Sequence, residues 1–457
     1  MIMGDEIVKK NKYEIDMCNG SIMDKLISFS LPLMLSGILQ LMFNAVDIVV
    51  VGRFSGSEAL AAVGSTTALI NVFTNLFIGI SLGANVLAAR FYAAGKDEEM
   101  SETVHTSILL ALISGIIMAF LGVIFARICL ELMDTPEDVI DLSTLYMRIY
   151  FLGMPFFMLY NYGAAILRAV GDTKRPLLFL IISGVSNAIL NMILVIVFNL
   201  GVAGVAIGTV MSQFISCVLV LRCLCKTESS YQLHFDKLAI KGVYVKQIFQ
   251  VGVPAGIQST VINFSNVLLQ SSVNSFGATA MAGYTAANNL LGFLYVSVNA
   301  VTQACMSFTS QNYGVGKYKR MDRVLLDCLG LTVVVAGVLG GCVYLFGPQI
   351  LRIYTSEADV ISCGMEILSI TTIPYFLCGI MDLFPGSLRG MGYSAVPMVL
   401  SVIGTVGTRI LWIYEFFPHN RTLFFLFISY PGSWIITIVM QVICYLYVRK
   451  RCIGVNK

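Results

Sequence analysis

Asp47 is the residue with the strongest demand for a chemical role. It lies deep in an otherwise apolar stretch, where a charged carboxylate costs about 3 kcal/mol on insertion scales. Gln40, Asn44 and Asp47 stand at i, i+4 and i+7, so on a helix they share one face. Hydrocarbon cannot satisfy that face, which must therefore turn toward other helices or a cavity. A carboxylate so placed takes up a proton or a cation, or is locked by hydrogen bonds from its neighbours. Asn187 and Asn191 are also one turn apart, and their carbonyl oxygens suit a hard cation such as Na+. Thr209 adds a hydroxyl oxygen to the set.

The second half of the chain repeats the theme with fewer charges. Gln258, Asn263, Asn266, Gln270 and Asn274 recur along one segment, and Asn288, Asn289, Asn299 and Gln303 along the next. Asp382 is the leading ionisable group there, and Arg409 either pairs with Glu415 or faces a cavity. Amides also glue helices together inside membranes, so for all of these a packing role stands beside a binding role.

Bond-making chemistry finds little support. His105, His234 and His419 are isolated near the ends of apolar stretches, which argues against an enzyme. The twelve cysteines are scattered without zinc or redox spacing and read as apolar filler. No GxxxxGK[ST] loop is present to power a primary pump, and no cofactor is expected. A net charge of +3, spread in short clusters, does not suit nucleic acid.

Such residues need a scaffold that holds polar groups inside hydrocarbon. Hydrophobic residues make up 57% of the 457 and charged residues 12%, against about 25% charged in soluble domains. The chain is thus expected to be an all-α membrane protein. Spans of roughly 20 residues or more read as about twelve helices: 26–52, 60–90, 104–126, 139–168, 176–198, 201–223, 246–274, 280–312, 325–347, 360–388, 396–417 and 422–448. Pro32 either bends the first helix or occupies its first turn, a position that needs no special role. Trp412 and Trp434 are expected to anchor helix ends at the membrane interface.

Basic residues mark alternate loops, beginning with Lys9, Lys10, Lys12 and Lys25, then Arg90 and Lys96, and Arg168, Lys174 and Arg175. The series continues through Lys237 and Lys241, Lys317 and Arg320, Arg389, and Arg449 to Arg451, whereas the opposite loops carry acids such as Glu131, Asp134, Glu137 and Glu357. Both termini are therefore expected in the cytoplasm, with the chain in the inner (plasma) membrane. The expected organisation is a cytoplasmic segment 1–25, an N-lobe 26–223, a linker 224–245, a C-lobe 246–448 and a cytoplasmic tail 449–457.

Two lobes are expected because the chain repeats itself. A shift of 222 places Pro32 on Pro254 and Asn44 on Asn266. A shift of 221 carries Tyr92, Gly95, Lys96 and Met100 onto Tyr313, Gly316, Lys317 and Met321, and Leu167, Arg168, Gly171 and Pro176 onto Leu388, Arg389, Gly392 and Pro397. Six helices per half make the repeat parallel, with its pseudo-axis along the membrane normal and a central site between bundles. Leu269 occupies the place that repeats Asp47, so coupling is expected to be asymmetric.

The stretch from Leu31 and Pro32 through Asn44-Ala45-Val46-Asp47 to Gly52-Arg53, continued by Glu58-Ala59-Leu60-Ala61-Ala62-Val63-Gly64, resembles the first two helices of multidrug and toxic compound extrusion (MATE) transporters. Leu167-Arg168-Ala169-Val170-Gly171-Asp172 and its echo Leu388-Arg389-Gly390-Met391-Gly392 resemble them too, and the likeness runs from about residue 20 to 450. It implies a two-lobed, twelve-helix fold that exports small organic, often cationic, compounds in exchange for Na+ or H+; a monomer is expected. It also implies an N-lobe cation site at Asp47, Asn187, Asn191 and Thr209, with Asn161 close by. Asn191 departs from relatives that carry Asp there, which weakens cation binding or favours protons. Another branch of the family uses acids on its seventh and tenth helices, but here only Asp382 is available, about one turn from the expected place. A lipid-linked saccharide flippase of related architecture is the alternative. It should show basic residues inside the membrane, where only Arg148 and Arg409 are found.

Overall fold

The computed structural model describes residues 13–133 and 135–454, so Lys9, Lys10, Lys12, Asp134 and the last three residues of the expected tail lie outside the described residues. No strand occurs among the described residues. The first half forms α1 (Ile22–Phe54), α2 (Gly56–Ala93), α3 (Asp97–Glu131), α4 (the bent pair Glu137–Leu152 and Met154–Ala169), α5 (Lys174–Val197) and α6 (Gly201–Lys226). The second half forms α7 (Gly242–Asn274), α8 (Ala278–Gly314), α9 (Tyr318–Leu345), α10 (the bent pair Ala358–Thr372 and Tyr375–Gly390), α11 (Ala395–His419) and α12 (Leu423–Cys452).

Nine of these are single helices long and apolar enough to cross a membrane, and the two bent pairs bring the number to 11. The remaining one is α7, whose amides, from Gln258 to Asn274, lower its hydropathy while its length of 33 residues suffices. Phe120, Ile189, Leu326 and Ile443 are exposed on the outer faces of the bundle, as a surface solvated by lipid requires.

The bends obey the repeat. α4 turns by 46° at Gly153, just before Pro155, and α10 turns by 47° at Ile373 and Pro374, the latter on the position that repeats Gly153. Each proline removes a backbone donor, and the chain redirects there. Pro32 lies well inside α1 rather than in its first turn, because the helix begins earlier, at Ile22. Its ring leaves the Ser28 carbonyl without a helical donor, and Ser36 Oγ donates to the Pro32 carbonyl at 2.8 Å.

The halves meet tightly between α2 and α7. Gly79 and Gly83 of α2 lie against Gly252 and Gly256 of α7, so close that a Cβ on any of them would strike the opposite backbone. Nearby, Ser307 Oγ donates to Asn85 Oδ1 at 3.1 Å, Ser310 Oγ to the Val86 carbonyl at 2.6 Å, and Gln311 Nε2 to the Ala169 carbonyl at 2.7 Å.

A strap formed by residues 14–19 crosses the end at which these contacts lie. Glu14 accepts from the Tyr92 and Tyr231 hydroxyls at 2.8 and 2.7 Å, while the Met17 carbonyl accepts from Asn312 Nδ2 and Arg320 Nε at 3.1 and 3.2 Å. Here too lie Arg90, stacked over Tyr313, and Arg449, paired with Asp322. This is the basic end of the molecule.

Two expectations fail on packing grounds. His105 and His234 are not isolated: their rings stack with centroids 6.3 Å apart, and His105 Nε2 accepts from the His234 backbone N–H at 3.0 Å, pinning the inter-lobe linker to α3. Trp434 is buried to 2% exposure between Tyr375 and Tyr430, a core position rather than an interface anchor.

Candidate functional site

Asp47 sits on α1 where α5 and α6 close over it. Asn191 Nδ2 donates to Asp47 Oδ1 at 2.6 Å and also reaches Asn187 Oδ1 at 3.4 Å. Asn187 Nδ2 in turn donates to Thr209 Oγ1 at 3.4 Å, while the Thr209 hydroxyl donates to the Val205 carbonyl at 3.0 Å. The four residues thus form one continuous cluster. Its oxygens are unevenly served: Asn191 Oδ1 is buried and has no hydrogen-bond partner. It lies against Gly208, where any side chain would collide with it. A buried carbonyl left unpaired costs about 1–3 kcal/mol, so this oxygen, on the amide whose nitrogen holds the carboxylate, is a ready ligand for a small cation. The residues present therefore fit Na+, and the carboxylate alone fits a proton.

α5 supplies the geometry by leaving the α-helical path. After Asn191 and Met192 the backbone runs as a π-turn, Ile193–Val197, which offsets the helix one residue beyond the site. Gly184, one turn before Asn187, lets the Phe43 ring pack into α5 and brings α1 close.

Asn161 does not join the cluster; its Nδ2 donates to the Phe157 carbonyl at 2.8 Å. Gln40 and Asn44 are exposed on α1 and do not join the cluster. Tyr146 and Tyr150, which lie within electrostatic reach of Asp47, are neighbours that the sequence reading passed over. Their i, i+4 spacing on a membrane helix was the available signal.

The C-lobe residues do not assemble into one site. Asp382 forms no ion pair within 4 Å with a described residue, and Arg389, the cation whose charge reaches it, instead donates from Nη2 to Gln258 Oε1 at 2.6 Å. Asn263 is exposed without a hydrogen bond to the described residues, whereas Asn266 Oδ1 accepts from Arg409 Nη1 at 2.9 Å. Arg409 is 3% exposed and does not pair with Glu415; its guanidinium lies 4.1 Å from the Tyr430 ring centroid.

The described residues hold no group of three or more His, Cys, Asp or Glu able to bind a metal, which leaves the Asp47 cluster as the ion candidate. The profile of the MatE family matches residues 32–193 and again residues 254–414, once in each half. The chain belongs to the MatE family. It is a membrane transporter, not an enzyme, built as two six-helix bundles related by a parallel repeat. Among MatE relatives, it is 29% identical over 435 residues to the probable multidrug resistance protein YoeA of Bacillus subtilis, covering 93% of each chain. It is 26% identical to the probable multidrug resistance protein NorM of Thermotoga maritima, over 85% of this chain and 84% of that one. A solved outward-facing multidrug resistance MATE family transporter superposes with a TM-score of 0.88 at 20% identity, over 98% of this chain and 100% of that one.

Proposed function

We propose that this MatE protein exports small organic compounds across the inner (plasma) membrane by antiport with Na+ or H+, through alternating access. The observation that carries the reading is the Asp47 cluster: a membrane-buried carboxylate beside the unpartnered Asn191 Oδ1. The names of its relatives as multidrug resistance proteins support drug-like substrates, and a carboxylate at the site suits those that carry a positive charge.

With the basic end in the cytoplasm, both termini and the linker near Lys237 are cytoplasmic. The tight seal between Gly79, Gly83, Gly252 and Gly256 then closes the inner side. The polar residues Asn44, Asn263 and Asn289, exposed beyond that seal, line the outward-facing cleft. The lobes are residues 26–223 and 246–448, joined by 224–245. One chain is sufficient for transport, and no cofactor takes part.

In the mechanism, Asp47 alternates between a free carboxylate and an ion-bound or protonated state. Entry of the ion from outside neutralises the site, and α1 repacks around Pro32, where one backbone hydrogen bond is already missing. A cationic substrate loses its electrostatic partner and leaves outward. Exclusive occupancy couples the two fluxes. The flippase alternative is less well supported, since a pyrophosphate needs several convergent cations and the C-lobe interior offers Arg409.

Purified protein in liposomes, with sodium and proton gradients imposed separately while a cationic dye is followed, tests this reading. Dye movement against its gradient under one ion gradient supports it. Dye movement under neither overturns it.

A further inference from the structure

The N-lobe cluster lies between the first, fifth and sixth helices of its repeat, and Arg409 lies between the corresponding helices of the other: α7, α11 and α12. Asn266, on its Nη1 at 2.9 Å, is the repeat mate of Asn44. Ser433, whose Oγ accepts from Nε at 3.3 Å, repeats Ser212, and Tyr430, under the guanidinium, repeats Thr209. The same pocket of the fold therefore holds a carboxylate in one lobe and a guanidinium in the other.

That guanidinium is a permanent charge, because arginine does not deprotonate in proteins. Among the described residues no carboxylate lies within 4 Å of it. Asp382, on α10, forms no ion pair with it either, and Arg389 is the cation whose charge reaches Asp382. An amide oxygen, a hydroxyl and a ring face soften a buried cation without neutralising it. Two of its three nitrogens are engaged, and Nη2 donates to no described residue. The helix carrying Arg409 is also special. α11 runs as π-turns over Val402–Gly407 and Trp412–Phe416, on both sides of it, and the described residues form a π-turn elsewhere only beside the Asp47 cluster in α5. Such turns concentrate at functional sites because they re-aim side chains.

We propose that Arg409 is a recognition site for an oxyanion, a carboxylate or a group of like charge, carried by the transported organic compound. The preferred substrates are then zwitterions, organic cations that also carry an acidic group. This deepens the transport reading, on which it rests for the identity of the ligand as cargo. Arg409 Nη2 donates to the oxyanion, and Tyr430 closes one face of the guanidinium against water.

The test compares rhodamine B, a zwitterion with a free carboxylate, with rhodamine B ethyl ester, the matched cation, by fluorescence polarisation on the purified full chain. No gradient is imposed, so a failure of ion antiport is distinguishable from a failure of this proposal. The wild-type protein is expected to bind the acid about tenfold tighter than the ester, the size of one charge-assisted hydrogen bond. In Arg409→Gln the acid should lose about tenfold more affinity than the ester does, while Arg409→Lys, which keeps the charge, retains part of the preference. A wild-type protein that binds the acid no better than the ester, or binds neither, overturns the proposal, and this holds even if Arg409→Gln does not fold. So does a preference that survives Arg409→Gln unchanged.

Discussion

The two lobes share a scaffold and differ in charge. Pro32 and Pro254, Asn44 and Asn266, and the breaks at Gly153 and Pro374 are placed alike, yet the inner pockets diverge. Asp47 has Leu269 as its mate, while Asn161 has Asp382. The carboxylate thus moves from the first helix of one lobe to the fourth of the other, and Arg409 takes the space that the ion cluster fills in the N-lobe. Repeat symmetry constrains backbone and packing, because both bundles pack against the same seal. It does not constrain the polar interior, and there the lobes are free to divide labour.

The sharpest way to break this comparison is Asp47→Asn. The amide keeps the shape and most hydrogen bonds but fixes the charge at zero, so the protein should reach the membrane and lose uphill export entirely. Dye efflux from cells at matched expression is the measurement, and efflux at the wild-type rate would remove Asp47 from the mechanism. Asp382→Asn should leave clearly more activity in the same assay. If it abolished export while Asp47→Asn kept it, the coupling site would belong to the C-lobe.

Asn191 tests the division of labour more finely. Asn191→Ala removes both the donor to Asp47 and the free carbonyl oxygen, so the ion concentration giving half-maximal transport should rise about tenfold. Asn191→Asp adds a negative ligand and should move it the other way for Na+. The smallest effect concerns the seal. Gly256→Ala places a methyl against the Leu76 backbone, and it should increase labelling of Ser307→Cys from the cytoplasmic side without changing the ion dependence. Lys237→Cys should remain unlabelled by an impermeant reagent added outside intact cells.

Much of this was legible in the sequence because membranes leave the backbone few choices. Helix order and the repeat follow from apolar length and matched glycines and prolines, one-turn spacing puts Asn187 and Asn191 on one face, and the resemblance to MATE transporters implies their place beside Asp47. Asn187, Asn191 and Thr209 do gather at Asp47. What escaped depends on contacts between distant segments. His105 with His234, Trp434 in an aromatic core, and the strap through Glu14 leave no periodic trace. The π-turns escaped too, because nothing in residues 402–416 marks the extra residue per turn. They carry Arg409 to Asn266 rather than Glu415.

The central claim, that substrate and ion compete through Asp47, is tested most directly by ion release. Purified protein is loaded with radioactive Na+ or held in weakly buffered solution with a pH indicator, and a transported dye is added. The account predicts that the dye displaces bound Na+ or a proton from the wild-type protein and neither from Asp47→Asn. Dye binding that releases neither ion from the wild type, or undiminished release from Asp47→Asn, would contradict it.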